Sequence, residues 1–169
     1  MMEASDSGTV TVEHIINIPE KKHDDLCIYR VAPKLRQVNA EAYTPQLISI
    51  GPFHHGKPQF KAMETRKERY YCEFLKRIKS DRPFGKFKDY IVENGIWNCY
   101  ADISMPDDKE FANMIELDAV FIMGFFLRLK EEDQHKDDYV LSTPWLKEGI
   151  CLDLILLENQ LPIHVLNEL

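Results

Sequence analysis

The feature of this sequence that most restricts its fold is a long apolar run near the middle of the chain. Asp107 and Asp108 follow a proline, and both proline and acidic residues favour the first turn of a helix. Apolar side chains then recur at helical spacing as far as about Lys130, and from Ala119 onward they cover nearly the whole circumference. A helix that is apolar on all sides is buried, so the sequence predicts a central helix over about 107–130.

The same periodicity predicts further helices and one short extended region. Apolar residues recur at spacings of three, four and seven, and we expect additional helices at about 58–79, 83–100 and 145–159. Residues 27–50 contain β-prone runs broken by prolines, whereas residues 1–25 lack a sustained pattern. We therefore predict a mainly α fold. A flexible leader over 1–25 precedes an irregular helical domain over 26–169, with a short extended segment near residues 27–50.

The distribution of charge bears on the kind of partner. The formal net charge of −7 argues against a general nucleic-acid binder, because such proteins are usually basic. Residues 1–100 carry 16 basic and 13 acidic side chains, whereas residues 101–169 carry 5 and 15. The candidate basic surface on the predicted helix 57–79 consists of Lys61, Arg66, Arg69, Lys76 and Lys79. We expect a solvated helix face there, and otherwise a site for the acidic C-terminal part, an acidic partner, anionic lipid or RNA.

Targeting and cysteine patterns lead us to expect a cytoplasmic chain. The first residues are polar and acidic, without the basic and apolar regions of a signal peptide. The longest uncharged apolar run, Ala119–Leu127, is less than half of the about 20 residues that a bilayer span needs. The cysteines are Cys27, Cys72, Cys99 and Cys151. Because they contain no C-x-x-C pair, we expect buried thiols in a reducing compartment and no zinc knuckle or disulfide framework.

Two adjacent histidines form the first candidate site. His54 and His55 follow a Gly-Pro-Phe turn, and we expect them to close that turn with polar contacts, because neighbouring histidines rarely bind one metal ion. A zinc site would need ligands from elsewhere in the chain, such as His135 or Asp118. The glycines are scattered and form no phosphate-binding loop. We therefore predict no metal and no cofactor.

Buried carboxylates form the second candidate. Asp118 lies in the apolar helix, where a carboxylate is costly unless it is paired. We expect an arginine or lysine of another helix as its partner, with Arg30 and Arg66 as candidates, and we favour an arginine. A further polar cluster before a proline consists of Glu158, Asn159 and Gln160. Amide side chains can bind backbone groups that a proline kink frees, so we expect both clusters to link helices. The alternative is that Asp118 and Glu158 are the acid pair of a hydrolase, although no residue is assigned as catalytic.

Three sequence segments are more specific than any single candidate residue. The first comprises CIYRV at 27–31 and NAEAYTPQLISIGPFHHG at 39–56. The second is MIELDAVFI at 114–122, and the third is DLILLENQLP at 153–162. In this order they resemble the plant family catalogued as domain of unknown function 247, whose members include UPF0481-type proteins. The resemblance covers residues 26–169.

The resemblance implies a mostly helical protein with no established catalytic activity. Relatives are usually much longer, and most carry a hydrophobic, membrane-attached helix near the C-terminus. Some grass members are male determinants of self-incompatibility, which implies recognition rather than chemistry. This chain stops after the third motif, inside an apolar period, so we expect a truncated family member that lacks the anchor.

These observations predict a non-enzymatic plant interaction or signalling module that binds a protein partner or a second copy of itself. The alternatives are a hydrolase of unknown substrate, and a membrane-surface or nucleic-acid adaptor that acts through the basic helix 57–79. The predicted helices carry more apolar surface than one small core can cover, so we expect a large exposed apolar patch. The surplus residues are Phe121, Phe125, Leu127, Leu129, Ile150, Leu154, Ile163 and Leu166.

Overall fold

The computed structural model describes residues 27–77, 85–103, 107–131 and 134–169, and the predicted leader over 1–25 lies outside these ranges. Within them the α-helices are α1 Pro33–Val38, α2 Lys61–Arg77, α3 Gly85–Glu93, α4 Asp108–Lys130, α5 Pro144–Asp153 and α6 Ile163–Glu168. The 3₁₀ helices are Glu41–Tyr43, Pro58–Phe60 and Ile96–Cys99. The prediction of a mainly α fold is confirmed.

Helix α4 occupies the centre of the core, as its sequence predicts. The Asp107 side chain caps its N-terminus by accepting a hydrogen bond from the Glu110 amide at 2.9 Å, and basic residues occupy its last turn. Helices α2 and α3 pack against it. Phe121 and Phe125 are fully buried, and their rings stack 5.8 Å apart along the helix. The apolar circumference of α4 is therefore covered on several sides.

Two helices are shorter than their apolar patterns predict. Helix α3 ends at Glu93 because Gly95 adopts the left-handed backbone conformation, with φ +56°, and a 3₁₀ helix follows. Helix α5 ends at Asp153, and the chain continues in turns over 154–158. There the Asn159 side chain donates to the Asp153 carbonyl at 3.0 Å, which competes with continuation of the helix.

The predicted extended region contains no β-sheet within the described ranges. Ile28 and Tyr100 form an isolated parallel bridge. Residues 46–51 run through the interior without regular secondary structure, although Ile48 and Ile50 are fully buried. We call residues 46–51 the extended segment. Because buried backbone groups need partners, this segment must find its hydrogen bonds outside a sheet.

The described residues bear on two further expectations, the absence of a membrane-spanning helix and the burial of the cysteines. No helix in these ranges combines the length and hydrophobicity that a membrane crossing requires. All four cysteines are thiols, but Cys27, Cys72 and Cys151 are exposed and Cys99 is buried. The expectation of buried thiols was therefore wrong for three of them, because these side chains lie on outward faces of the fold.

Candidate functional site

The Asp153 carboxylate binds the first amides of the extended segment. The amide of Gln46 donates to Oδ1 at 2.9 Å, and those of Leu47 and Ile48 donate to Oδ2 at 2.6 and 2.9 Å. Asp153 is buried at the end of α5. One side chain thus satisfies three amides of a segment more than a hundred residues earlier in the chain.

Asn159 continues this pairing along the extended segment. Its Oδ1 accepts a hydrogen bond from the Ile50 amide at 2.7 Å, and its Nδ2 donates to the carbonyls of Ile48 and Asp153 at 3.0 Å each. Asn159 is fully buried. Its amide group therefore supplies the donor and acceptor that a neighbouring strand would otherwise provide.

Asp118 and Lys67 form a buried ion pair beside the same segment. Lys67 Nζ donates to Asp118 Oδ1 at 2.6 Å, to the Ser49 carbonyl at 2.5 Å and to Glu64 Oε1 at 2.7 Å. The other oxygen of Asp118 accepts from the Gly51 amide at 2.8 Å. Burial raises the pKa of Asp118, while the Lys67 ammonium and the Gly51 amide oppose that rise by stabilising the carboxylate.

The expectation that Asp118 pairs with Arg30 or Arg66 was wrong, because its ionic partner is Lys67. The Arg30 guanidinium lies 4.3 Å from the centre of the Phe53 ring, and that of Arg66 lies 4.0 Å from the centre of the Tyr139 ring. Lys67 takes the place beside Asp118 because it lies on the buried face of α2, which packs against α4.

Glu158 joins the turn after α5 to the N-terminal part of the domain. Its Oε1 accepts from the Val31 amide at 2.6 Å, and its Oε2 lies 2.5 Å from Arg36 Nη2 and 3.3 Å from His54 Nε2. Burial alone would raise the pKa of Glu158, but the Arg36 guanidinium and the Val31 amide hold it below its ordinary value.

The two histidines have different environments. His54 is buried with its Nδ1 2.8 Å from Lys57 Nζ, whereas His55 is exposed. Burial, with a contribution from Lys57, lowers the pKa of His54 to about 4, so its ring is neutral near pH 7. Among the described residues no group of three or more His, Cys, Asp or Glu could hold a metal ion. The zinc alternative with His135 or Asp118 therefore has no support there.

Gln160 contributes through its backbone. Its carbonyl accepts a hydrogen bond from the Tyr100 hydroxyl at 3.1 Å. The same carbonyl lies close to Gly51, whose backbone has φ +70°, so that a Cβ at this position would meet it at 2.8 Å. The close approach and the left-handed backbone both require glycine.

The candidate basic surface does not form one patch of five residues in the part of the chain that the structure describes. Lys61, Arg69 and Lys76 are exposed on α2, whereas Arg66 is half-buried against an aromatic ring. Lys79 lies outside the described residues.

A second polar cluster connects α2, α4 and the loop before α5. Arg128 binds Asp138 through Nη1 and Glu73 through Nη2, the latter at 2.5 Å, and its guanidinium lies 3.7 Å from the centre of the Tyr70 ring. The Tyr70 hydroxyl donates to Asp138 at 3.0 Å. Burial and the Asp138 charge raise the pKa of Tyr70. This cluster ties the helices together far along α4 from Asp118.

Sequence reasoning missed Lys67 and Asp153, the two residues that organise the site. A signal for Lys67 was present, because it lies four residues after Met63 and three before Tyr70, on the buried face of α2. Asp153 likewise interrupts an otherwise apolar run. Both are charged residues at positions where the helical pattern requires an apolar side chain.

Comparison with known proteins agrees with the three sequence motifs. The DUF247 family model, described as a plant protein of unknown function, matches residues 28–169. The chain belongs to this family. It is 29% identical over 167 residues to UPF0481 protein At3g47200 of Arabidopsis thaliana, covering 93% of this chain and 33% of that relative. It is 25% identical over 168 residues to Putative UPF0481 protein At3g02645 of the same plant, covering 94% and 30%.

This DUF247 chain thus spans about a third of the length of these curated relatives. No solved structure matches it significantly. The three segments that carry the family resemblance meet in one place, because Asp118, Asp153 and Asn159 all bind the extended segment. The motif residues therefore build the interior of this part of the DUF247 fold.

Proposed function

We propose that this DUF247 chain is a non-enzymatic protein-interaction module that binds its partner through an exposed apolar groove. The observation that carries the proposal is a groove of about 350 Å³ between α4, the turns after α5, and α6. Its apolar lining consists of Ile122, Phe126, Leu154, Ile155, Leu161 and Leu166. Exposed apolar surface of this kind is typical of binding sites for other proteins.

Neighbouring positions in the same elements extend the apolar surface. Leu152, Leu157 and Ile163 are 63%, 61% and 71% exposed, and Ile155 in the groove is 70% exposed. Four large apolar side chains exposed to this extent within twelve residues are unfavourable in water. A partner that covered them would remove that cost.

The residues that form the exposed apolar surface are not all those that the sequence predicts. Phe121, Phe125 and Ile150 are fully buried, so the expectation that they belong to a surplus was wrong for these three. Helices α2 and α3 pack against α4 and cover part of its circumference. Phe126, which is 53% exposed, and Ile155 lie at the surface instead.

The hydrolase alternative gains no support from the two carboxylates. Asp118 and Glu158 are only 1% and 3% exposed. Asp118 binds an ammonium group and a backbone amide, and Glu158 binds a guanidinium group and a backbone amide. Hydrolysis by an acid pair needs both groups to reach a substrate.

The adaptor alternative is not favoured either. The exposed basic residues of α2 are interspersed with Glu68 and Glu73, and Arg77 is bound by Glu131 at 2.8 Å. A nucleic acid or an anionic membrane is attracted by a continuous basic surface.

The acidic C-terminal part defines the chemistry of the proposed partner. Residues 101–169, which include the whole groove lining, carry three times as many acidic as basic side chains. Asp118, Asp153 and Glu158 are buried, whereas Glu148 on α5 and Glu168 on α6 are exposed. A polypeptide segment with apolar side chains flanked by basic ones would complement this surface. As part of the same proposal, we place this chain in the cytoplasm and assign it a signalling role.

Titration of the chain with a synthetic peptide that carries apolar residues flanked by lysines, together with binding of an environment-sensitive apolar dye, tests the proposed groove. We expect the wild-type chain to bind both the dye and the peptide. The double variant Phe126→Glu/Ile155→Glu should lose both, because charged side chains would occupy the groove. Val38→Glu is the matched control, since Val38 is 85% exposed on α1, outside the groove. A wild-type chain that binds neither the dye nor the peptide would contradict the proposal.

A further inference from the structure

Two of the four cysteines are neighbours in the fold although they are far apart in sequence. The amide of Cys27 donates a hydrogen bond to the carbonyl of Cys99 at 3.0 Å, beside the isolated bridge between Ile28 and Tyr100. The bridge is completed by hydrogen bonds from the Ile28 amide to the Cys99 carbonyl and from the Ala101 amide to the Ile28 carbonyl, both 2.9 Å long. This register places Cys27 directly beside Cys99.

Both cysteines border the same pocket. Ile28 and Tyr100 are both buried in the core. Cys27 and Cys99 immediately precede these two residues, and Cys99 is the last residue of the 3₁₀ helix Ile96–Cys99. Both residues line a polar pocket of about 410 Å³, which also includes His164 of α6. Cys27 is exposed there and Cys99 is 8% exposed.

The backbone spacing suits a covalent link. Paired strands lie about 4.8 Å apart, and the Cα atoms of disulfide-bonded cysteines are roughly 4.4–6.8 Å apart. Cys72 lies on α2 and Cys151 on α5, and neither borders this pocket.

We propose that Cys27 and Cys99 form a reversible disulfide that fastens the segment around Ile28 to the end of the 3₁₀ helix Ile96–Cys99. The 26 residues that precede Cys27 would then be attached to the core by a covalent bond as well as by the bridge. This site is independent of the apolar groove and of the buried polar network.

The reaction requires an external disulfide such as oxidised glutathione. The Cys27 thiolate attacks one glutathione sulfur, which breaks the glutathione S–S bond, forms a mixed disulfide and releases one glutathione thiolate. Cys99, after losing its proton, attacks the Cys27 sulfur and displaces the second glutathione. The two cysteines are oxidised, one external disulfide is reduced to two thiols, and the two thiol protons pass to the released glutathione molecules.

Peptide mapping after equilibration of the whole chain in glutathione redox buffers tests the proposal. Trypsin places each cysteine on a separate peptide, at 23–30, 70–76, 89–109 and 148–169. After alkylation of remaining thiols, we expect a cross-linked pair of peptides 23–30 and 89–109 from a monomeric chain, with Cys72 and Cys151 alkylated. Dithiothreitol should reverse the cross-link. The oxidised chain should also melt roughly 5–10 °C higher, because the bond closes a long loop.

Single variants separate this pair from accidental oxidation. Cys27→Ser should abolish the cross-link, and because Cys27 is exposed this change leaves the core intact. Cys99→Ala should abolish it too, whereas Cys72→Ser and Cys151→Ser should retain it. Disulfides that involve Cys72 or Cys151, cross-linked dimers, or glutathione that remains on Cys27 of the wild-type chain at equilibrium would overturn the proposal.

Discussion

Lys67 is a charged residue on the buried face of a helix, and its chemistry determines how that face packs. Its ammonium group has three donors, and all three are used by Asp118, Glu64 and the Ser49 carbonyl. A buried charge is tolerated only while its partners are present. The ion pair therefore links α2, α4 and the extended segment, and each partner depends on the others.

Removing the carboxylate of Asp118 should strongly destabilise the fold. We expect Asp118→Ala to lower the free energy of unfolding by about 3–5 kcal/mol, because it leaves the Lys67 ammonium buried without its counter-ion and the Gly51 amide without an acceptor. Denaturant unfolding measures this difference. Asp137→Ala, which changes an exposed acid, should cost less than about 0.5 kcal/mol. An equally small loss for Asp118→Ala would contradict the role of the buried pair.

The buried ring of His54 predicts how stability depends on pH. Folding lowers the pKa of His54 from 6.5 to about 4, so between these values the unfolded chain binds more protons than the folded chain. Stability is therefore fully present above pH 6.5 and is lost as the pH falls toward 4. The expected loss from this group is about 3 kcal/mol. The lowered pKa of Glu158 adds a loss of the same sign at lower pH.

Unfolding free energies measured from pH 7 to pH 4 check this dependence. His54→Gln should flatten the slope between pH 6.5 and 4, because glutamine does not titrate. The neighbouring variant His55→Gln is the matched control and should keep the wild-type slope, since His55 is exposed. If His54→Gln retained the full slope, other groups would have to account for it.

At the level of elements, the extended segment is unusual because side chains take the place of a neighbouring strand. Its amides bind Asp153, Asn159 and Asp118, which come from the end of α5, the turn after it, and α4. The segment has no regular structure of its own, so its geometry depends on these contacts. The sharpest geometric requirement lies at Gly51, where the backbone passes the Gln160 carbonyl.

Alanine substitutions at two glycines with similar backbone conformations separate the free-energy cost of backbone strain from that of a steric contact. Gly51 has φ +70° and Gly56 has φ +75°, but a Cβ at Gly56 would meet nothing within 4 Å. We expect Gly56→Ala to cost about 1–2 kcal/mol from backbone strain alone. Gly51→Ala should cost at least about 2 kcal/mol more, because its Cβ would collide with the Gln160 carbonyl. Equal costs in denaturant unfolding would show that this contact relaxes freely.

The elements that the sequence predicts well are those whose signals are local. The proline before helix α4, the acidic residues of its first turn and its apolar periodicity together predict this helix, which begins within one residue of the predicted position. The end of α5 could not be predicted from local signals, because Asp153 binds amides more than a hundred residues away. The lysine partner of Asp118 was missed for the same reason, since periodicity indicates burial but does not say which charges meet.

At the scale of the whole molecule, the three DUF247 motifs converge although they are far apart in sequence. The extended segment belongs to the first, Asp118 to the second, and Asp153 and Asn159 to the third. Their residues face one another in the interior, so their shared task here is to hold the fold together. The outer apolar groove is the surface that we propose for a partner.

Amide hydrogen exchange followed by NMR tests this central role of the buried network most directly. Because three separate elements hold the extended segment, its amides should open only when the whole domain unfolds. We predict that the amides of Ile48, Ile50 and Gly51 exchange as slowly as those in the middle of α4, and that Asn159→Ala accelerates them. Exchange of these three amides at the rates of exposed loops, in a chain whose α4 stays protected, would contradict the account.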